Sequence, residues 1–592
     1  MKNIISPLRP FVVVLLAFGS LSAGATSYYV NSSSGLNSNN GTSPGTPWFD
    51  FTNVNSHTFA AGDSIFLACG STWNQEMDIH GGGSSWTSPL TITSYGSGAR
   101  PKIQRNSGAN DRTIKLINPD YILISGLEIC NAGDGIQARW TSLGHQGLHF
   151  ANLYIHNINQ VYNHTPATTD NIEYSFGIDL QNDPSFTTLP NSSQWLCKDI
   201  QITKCQFSNV MACWGTFDRY NISGVYDTTY SFQDVIVSGC WAHDCQADIA
   251  VVDSTNVLIA GNYFNNLATM ALPQGTTAIF QWRTESVTYL NNVMDTVPST
   301  GSPDQCFIDI EAYANNSYIV ANYVNNTAGP GFEFLQLPAG SNPPRDPATD
   351  HNTNNIVWSN AFLNNGNYSL RSVSANGNTI TGSIWDNIYY EPSTGFTTGD
   401  FSGFSIPANQ IAAASAGSIY CVGYQFSPTT QGSNQWRYQY WNGSAWNDCP
   451  TFIGTPGVWD GGSAYAWADN NNGQVGQFTL LPDSNGAYWV AHSWVAPSTG
   501  TISIRGRVYL TDSAGGSGVG ALVYQNGATN RQLWPATSGG QSLAGTYGSR
   551  GFDTIVDSIS VTAGDVIHFC VGTSSGTNAH DTVGWMPIIT YR

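Results

Sequence analysis

Short strands in which apolar and polar residues alternate recur along the chain from about residue 90 to 390. Each strand leads into a similar phrase, in order LISGLEI, FANLYI, ITKCQF, VSGCWA, IAGNYF, YLNNVM, VANYVN and WSNAFL. Alignment of the phrases gives one equivalent position per unit, occupied by Leu127, Leu153, Cys205, Cys240, Asn262, Asn292, Asn322 and Asn360. Two of the intervals are 30 residues, and the longer ones contain loop-like insertions. The pattern predicts a structural repeat with loops of variable length.

A repeat of short strands without helical periodicity is typical of a parallel β-solenoid, in which each coil buries its inward residues on the next. The equivalent Asn position suits such a stack. A buried amide can bond to the backbone of a neighbouring turn and to the amide one coil away, about 4.8 Å along the axis. The simpler interpretation is that the Asn-rich endings are only turns. We predict an all-β fold in which the Asn side chains share one face.

The N-terminal phrases add a family resemblance. YYVNSSSGLNSNNGTSPGTPW, AAGDSIFLACGSTW and SPLTITSYGSGARPKI resemble the opening of right-handed parallel β-helix proteins of the pectate-lyase-like superfamily. The resemblance extends over roughly residues 27 to 400. It implies a right-handed parallel β-helix catalytic domain over residues 26–400, secretion, and a polysaccharide substrate bound in a groove along one sheet.

The repeat stops after about residue 400, where FSIPANQIAAASAGS marks a boundary. Short alternating strands with turn signals predict an antiparallel β-sandwich over residues 401–592. This layout resembles the carbohydrate-binding accessory modules of secreted glycosidases. Trp441 and Trp446 flank an Asn-Gly turn and are candidate sugar-binding residues, whereas Trp436 and Trp494 lie in regular strand phrases and favour core packing.

The chain begins with a basic residue, a short apolar run and the small-residue site Ala23-Gly24-Ala25, which predict a cleaved signal peptide over residues 1–25. No later run is long enough to span a membrane, so the mature protein is expected to be exported and soluble, without a membrane partner. Among its 11 Cys residues, Cys421 and Cys449 bracket a loop-rich segment and are the predicted disulfide pair.

Charged residues make up only 10% of the chain, and the formal net charge is −19. Nucleic acid would therefore be repelled, and a neutral ligand is favoured. We expect a monomer whose partner is a polysaccharide.

Candidate chemistry centres on CFIDIEAY, where Ile308 and Ile310 are predicted to point inward. Alternation then places Asp309 and Glu311 on the outer, solvent-facing side of the strand, and Glu333 of GFEFLQL on the next coil beside Asp309. Glycoside hydrolysis needs one protonated and one ionised carboxyl group at about 5 to 9.5 Å. Asp309 is predicted to be the ionised partner and Glu311 or Glu333 the acid, with Asp248 in reserve.

Coil matching adds candidate substrate-binding residues in the same groove. Gln281 and Arg283 would lie one turn before the acids, and Asp179 and Asp218 further back would extend an acidic row. Arg283 has two interpretations, because it can orient a substrate hydroxyl or neutralise Asp309 and Glu311. The acids themselves can also be solvated surface groups or Ca²⁺ ligands. His145, His149, His156 and His164 match no zinc motif and are expected to be loop or core residues.

Three functions are compatible with these features. The first is a secreted glycoside hydrolase that requires no cofactor, with Ca²⁺ possible. The second is a polysaccharide lyase, which needs cations or Ca²⁺ to neutralise a uronate and a base to abstract a proton. The third is a non-catalytic glycan-binding solenoid, since a fold does not fix a function. Substrate, linkage and stereochemistry are set by the inserted loops.

Overall fold

A computed structural model describes residues 24–592 with internal gaps. The gaps are residues 109, 160–162, 165–171, 174, 184, 187, 189, 191–192, 218–229, 273–274, 337–350, 367, 375–379, 455–464, 470–472, 485–487, 513–517, 545–550, 574–577 and 579. Residues 1–23 of the predicted signal peptide and the candidate Asp218 therefore lie outside the described residues. The described part of the chain contains no helix with the length and hydrophobicity of a membrane span.

The described residues from Ser27 to Ala412 form a parallel β-coil with three faces, which confirms the predicted solenoid. One face is a 12-stranded parallel sheet. Its strands are Thr72–Asn74, Lys102–Gln104, Glu128–Cys130, Tyr154–Ile158, Gln206–Val210, Trp241–His243, Tyr263–Asn265, Val293–Val297, Tyr323–Thr327, Ala361–Leu363, Ile388–Tyr390 and Ile411–Ala412. Because its last strand ends at Ala412, the coil continues past the predicted boundary at residue 400.

A second face carries the candidate acids, and we call it the groove face. Its strands are Thr58–Phe59, Met77–Gly81, Arg112–Ile117, Asp134–Trp140, Phe176–Asn182, Ala212–Phe217, Ile308–Ile310, Phe332–Gln336, Leu370–Ser374 and Thr397–Gly399. The remaining face contains Ser27–Val30, Ser64–Ala68, Leu90–Tyr95, Ile122–Ser125, His145–Ala151, Cys197–Thr203, Phe232–Ser238, Ala314–Asn315, Tyr318–Val320, Asn355–Trp358, Gly382–Trp385 and Phe404–Ser405. Two long strands, Ile249–Ala260 and Ile279–Leu290, run through both of these faces.

Stacked apolar side chains fill the coil interior. On the groove face, Ile249, Ile279, Ile308, Phe332 and Leu370 pair in succession and are all buried. This column confirms that Ile308 points inward. Each coil therefore rests on the apolar residues of its neighbours, as expected of a solenoid.

The predicted Asn position is a buried ladder of amides. The Asn262 side-chain and backbone nitrogens both donate to Oδ1 of Asn292, at 2.9 and 3.0 Å. Asn292 donates in the same way to Asn322, and Asn322 to Asn360, after which the ladder continues to Asn387. The amides are fully buried and each also donates to a backbone carbonyl of the preceding coil, so the simpler turn interpretation is insufficient.

Antiparallel sheets follow the coil, as predicted for the C-terminal region. A four-stranded sheet contains Ile419–Cys421, Gly500–Arg505, Val556–Val561 and Ile588–Tyr591. One seven-stranded sheet contains Trp436–Trp441, Trp446–Asp448, Trp489–Val495, Val519–Asn526, Arg531–Trp534, Gln541–Ser542 and Val566–Thr573. The other contains Thr451–Ile453, Ala466–Ala468, Gln474–Gly476, Thr479–Leu481, Arg507–Leu510, Phe552–Asp553 and Val583–Trp585.

Short segments complete the described structure. A single antiparallel pair, Asn163–His164 with Ile172–Glu173, lies in the coil region. The α-helical segments are Thr52–Ser56 and Val422–Gln425, and the 3₁₀ segments are Ala416–Ser418 and Ser433–Gln435. The predicted disulfide is wrong. Cys421 belongs to the four-stranded sheet and Cys449 follows a strand of a seven-stranded sheet, and both are buried free thiols.

Residues of the coil and of the C-terminal sheets belong to one hydrophobic cluster. Coil residues Val293, Tyr323 and Leu363 belong to the same buried cluster as Trp436 and Trp494. Polar contacts reinforce this junction. Asn291 Nδ2 donates to the carbonyl of Arg507 at 3.0 Å, and Trp358 Nε1 donates to Asp553 at 3.1 Å. The burial of apolar residues from both regions makes the two parts stabilise each other.

Candidate functional site: a carboxyl cluster on the groove face

Asp309 and Glu333 are direct neighbours on adjacent strands of the groove face, as predicted. The same column continues with Arg371, whose Nη1 lies 3.2 Å from Glu333 Oε1. Neighbouring strands are about 4.8 Å apart, so the two carboxyl groups and the guanidinium form a short charged row. Within the described residues, Glu333 Oε2 and Asp309 Oδ1 accept no hydrogen bond, and Glu333 Oε1 is approached only by Arg371.

The expectation that these acids face solvent is wrong. Asp309 is 2% exposed, Glu333 0% and Glu311 8%, because other parts of the protein cover the outer side of the strand. Alternation correctly placed Asp309 outside the coil interior, but it did not show what lies above it. Burial of a carboxyl group disfavours its charged form.

Burial and mutual repulsion raise the pKa values of this cluster. Burial raises the pKa of Asp309 well above its ordinary value, and the charges of Glu311, Glu333, Asp304 and Asp248 raise it further. Burial likewise raises the pKa of Glu333 to about 7, although Arg371 opposes the shift. The predicted role of Asp309 as the ionised partner is therefore disfavoured, since its carboxyl group is the one held most strongly in the protonated form.

Asp304 belongs to this cluster and was missed by the sequence reasoning. It lies in the loop before Ile308, has a positive φ of 69°, and is only partly buried. Burial and the charge of Glu311 raise its pKa to about 6. Coil matching did not indicate Asp304, because its bridge partner in the preceding coil is Thr276, three residues before Ile279, whereas Asp304 itself lies four residues before Ile308. A Cβ on Gly275 would lie 2.0 Å from Asp304 Oδ2, so the carboxyl group lies directly over that glycine.

The other candidate residues are dispersed. Gln281 pairs with Ile310 and bonds to the buried Thr284, Ser317 and Tyr289, so its prediction as a groove residue is wrong. The buried Arg283 lies at the corner between two faces, where it forms an ion pair with Asp253 and neutralises neither Asp309 nor Glu311 by a direct ion pair. Asp248 is partly buried and accepts a hydrogen bond from the Thr277 backbone at 2.7 Å.

Asp179 lies in the same column as Asp309 but four strands away, which corresponds to about 19 Å. Gly215, Ala250 and Phe280 occupy the intervening places, so the predicted continuous row of acids is wrong. Asp179 instead forms a buried ion pair with Arg139. Burial of the neighbouring Asp134, together with the charge of Asp179, raises the pKa of Asp134 to about 7. These residues make a second polar cluster in the groove.

Aromatic and small apolar residues separate the two clusters. They form an outer apolar cluster of Phe176, Ala212, Ala250, Val252, Trp282, Ala312 and Tyr313, with Phe217 and Phe280 partly exposed beside it. Phe280 is the direct neighbour of Asp309. Aromatic surfaces next to polar groups suit the apolar and hydroxyl-bearing faces of sugar rings.

Within the described part of the histidine-rich segment, the histidines form no common site. His145 contacts Asp120 at 2.9 Å, and His149 stacks on Trp86 and contacts Asp199 at 3.0 Å. His156 lies with Glu128 and Cys130 in a group whose potential ligand atoms are within 4.8 Å of one another. Lys102 Nζ lies 2.7 Å from Glu128, so a cation is already present beside this carboxylate. The side chain of His164 lies outside the described residues.

Trp441 and Trp446 are partly exposed and lie on the C-terminal seven-stranded sheet that contains Trp489 and His568. They are cross-strand neighbours with ring centroids 5.7 Å apart. Trp436 and Trp494 are fully buried, which confirms their predicted core role.

Comparisons with known proteins give partial similarities. No family model matches the chain. A lacto-N-biosidase of Bifidobacterium longum subsp. longum is 31% identical over 134 residues, which is 18% of this chain and 8% of that protein. The chain thus matches only a small part of that relative's length.

Solved structures with a similar architecture are carbohydrate-active enzymes. A GH136 lacto-N-biosidase from Eubacterium ramulus aligns with a TM-score of 0.49 and 15% identity over 65% of this chain and 67% of that chain. An alginate lyase from Paenibacillus sp. aligns with a TM-score of 0.38 and 15% identity over 60% and 96%. A rhamnogalacturonan lyase aligns with a TM-score of 0.40 and 12% identity over 65% and 87%. The fold prediction itself is confirmed by the stacked parallel strands of the coil.

Proposed function

We propose that this chain is an exported glycoside hydrolase that cleaves a polysaccharide in the groove, with Asp304, Asp309, Glu311 and Glu333 as its carboxyl cluster. The observation that carries the proposal is the grouping of these acids, several with raised pKa values, beside the partly exposed Phe280. An acid that keeps its proton near neutral pH is what a glycosidase needs to protonate the leaving oxygen. The similarity to a lacto-N-biosidase supports this class of reaction.

Exposure divides the cluster into two layers. Asp304 is the member with the greatest accessibility, and Glu311 retains 8% exposure, whereas Asp309 and Glu333 are almost fully covered. A reacting carboxyl group must touch the substrate. We therefore assign proton donation to Asp304 and the role of nucleophile or water-activating base to Glu311. Asp309 and Glu333 are assigned as positioning residues, because they are almost fully covered and lie in the same cluster, where burial and the charges of Asp304 and Glu311 raise their pKa values.

Arg371 completes the arrangement. Its guanidinium lowers the pKa of both Asp304 and Glu333, and so limits the number of protons that the cluster retains. Carboxyl oxygens are suitable Ca²⁺ ligands. However, positive charge is already supplied by Arg371 beside Glu333, so the residues fit a bound cation poorly and the proposed reaction uses none.

The test measures products and turnover on a panel of polysaccharides and oligosaccharides. We expect new reducing ends without the ultraviolet absorbance of an unsaturated sugar, which a lyase would produce. Asp304→Asn and Glu311→Gln should each lower kcat at least about 10²-fold, because a positioned acid or base contributes that much. Asp295→Asn is the matched control, since Asp295 is a buried acid on the 12-stranded sheet.

Recovery of turnover on addition of a small anion distinguishes the two assigned roles. Added azide or formate should restore turnover to Glu311→Gln more than to Asp304→Asn if Glu311 is the nucleophile. Unaltered kcat in both variants would exclude them as the reacting pair, and activity lost on chelation and regained with Ca²⁺ would favour a lyase. The same assays apply to Asp309→Asn and Glu333→Gln, for which we expect a shifted pH profile.

A further inference from the structure

The outer face of one C-terminal sheet carries three partly exposed tryptophans. Trp436, Tyr438 and Trp494 point into the core, so alternation along the paired strands sends Trp441 and Trp489 to the opposite side. Trp441 pairs directly with Trp489 on one neighbouring strand and with Trp446 on the other. We call Trp441, Trp446 and Trp489 the outer tryptophan face.

Trp446 is supported from below by a histidine. Its ring stacks on His568 with centroids 4.3 Å apart and planes 11° from parallel. His568 Nδ1 contacts Ser493 Oγ at 2.8 Å, and its Nε2 contacts Asn526 Nδ2 at 3.1 Å, so the imidazole has a fixed orientation. Burial lowers the pKa of His568 to about 3, and the ring is neutral at physiological pH. One face of the Trp446 indole is therefore covered by an imidazole of fixed orientation.

Trp489 lies against the backbone of a neighbouring strand. A Cβ added at Gly572 would be 2.6 Å from Cδ2 of the Trp489 indole, so only glycine allows this close contact. Gly520 lies beyond it, with a hypothetical Cβ 3.9 Å from the far edge of the same ring. The two glycines let the indole lie close to the sheet.

The polar groups next to the tryptophans are paired. Arg437 forms an ion pair with Asp448, and Gln439 Nε2 donates to Asp448 at 2.9 Å. The charges of this surface therefore compensate each other, while the whole chain has a formal charge of −19. A surface of flat aromatic rings with a compensated polar border is complementary to an uncharged ligand that has both apolar faces and hydroxyl groups.

We propose that the outer tryptophan face binds a neutral glycan, with Trp446 and Trp489 as stacking platforms and Trp441 between them. This site is separate from the carboxyl cluster and does not depend on its chemistry. It extends the sequence-based expectation for Trp441 and Trp446 by two residues that the pattern did not indicate, Trp489 and Gly572.

The experiment uses the full chain, because the C-terminal sheets share a core with the coil. Its mobility is measured in native gels that contain glucomannan, xyloglucan, arabinoxylan or mixed-linkage β-glucan as neutral probes, and alginate as an anionic probe. We expect retardation by at least one neutral probe. Trp446→Ala and Trp489→Ala should each lower the association constant about tenfold, while kcat on soluble oligosaccharides stays unchanged.

Gly572→Ala provides a second variant that keeps all three tryptophans but displaces Trp489, and it should also weaken retardation. Phe49→Ala is the matched control, since Phe49 is 45% exposed and lies at the N-terminal end of the coil. Melting temperatures identify any variant that fails to fold. Absence of retardation by every neutral probe, or equal retardation of wild type, Trp446→Ala and Trp489→Ala, would overturn the proposal. Retention of glycan binding by Glu311→Gln without hydrolysis would separate this site from the groove.

Discussion

At the scale of single residues, the groove acids illustrate how burial changes the meaning of a carboxyl group. Asp309 and Glu333 are adjacent in space because the coil stacks them, and burial raises the pKa values of both carboxyl groups. A fold gains no stability from such a group. Their presence is therefore best explained by chemistry, in agreement with the proposed hydrolase.

The raised pKa values predict how stability depends on pH. The folded state holds protons on Glu333 and Asp304 at pH values where the unfolded chain releases them. This contribution is complete below about pH 4 and is lost as the pH rises through 6 to 7. For Glu333 alone, a pKa raised from 4.5 to about 7 corresponds to on the order of 3 kcal/mol. We expect the free energy of unfolding to fall between pH 4.5 and 8.

Urea titrations at several pH values check this prediction. In the Glu333→Gln variant, the free energy of unfolding should depend less steeply on pH than in wild type, because the amide does not ionise. Asp400→Asn, which changes an exposed acid at the end of the coil, should follow the wild-type curve. A parallel fall in kcat above about pH 6 to 7 is expected as the proton donor ionises. Identical slopes for wild type and Glu333→Gln would contradict the burial argument.

Gly275 offers a test of the position of Asp304. Gly275→Ala would place a Cβ 2.0 Å from Asp304 Oδ2 and must displace the carboxyl group. We expect kcat to fall at least tenfold, because small displacements of a catalytic group have large effects. Gly301→Ala is the matched control. Gly301 also has a positive φ, 81° against 122° for Gly275, and lies in the loop that contains Asp304, but no atom lies within 4 Å of the added Cβ. This variant should lose about 1 kcal/mol of stability without loss of kcat. Equal kcat in both variants would remove Asp304 from the reaction.

At the scale of elements, the Asn ladder holds successive coils in register. Asn292→Ala would leave the Asn262 backbone and side-chain nitrogens without their shared acceptor, and would remove a donor to Asn322. Because these groups are fully buried, we expect a loss of about 3 kcal/mol or more in the free energy of unfolding.

Asn325→Ala is a graded control, because Asn325 is partly exposed on the outer side of the same sheet and donates to Asp295. It should cost about 1 kcal/mol. Chemical denaturation of both variants measures the difference. A similar cost for the two substitutions would mean that the ladder contributes no more than ordinary surface hydrogen bonds.

At the scale of the whole molecule, the shared core predicts cooperative unfolding. Removal of residues 413–592 would expose Tyr323, Leu363, Trp358 and Leu290, which the C-terminal sheets help to bury. We expect the shortened chain to bind a hydrophobic dye and to aggregate, and the full chain to show one calorimetric transition. Two well-separated transitions, or a soluble shortened chain with an unchanged melting temperature, would contradict this view.

The sequence by itself determined the coil and the stacking of its side chains. Alternation and the repeated phrase located the inward Ile308, the Asn ladder and the pair Asp309 and Glu333. A strand has a period of two, and every coil stacks on the next, so the position of a residue in the sequence directly gives its position in space. It also indicated that Trp436 and Trp494 are core residues, since they lie in regular strand phrases.

Only the tertiary structure decided the rest. The burial of Asp309, the place of Asp304 over Gly275, and the interior position of Gln281 depend on how loops and corners fold against neighbouring coils. The continuous core between coil and C-terminal sheets, and the support of Trp446 by His568, join residues far apart in the chain. A local pattern specifies which way a side chain points from its strand. What covers that side chain, and therefore its pKa and its function, depends on long-range packing that no local pattern contains.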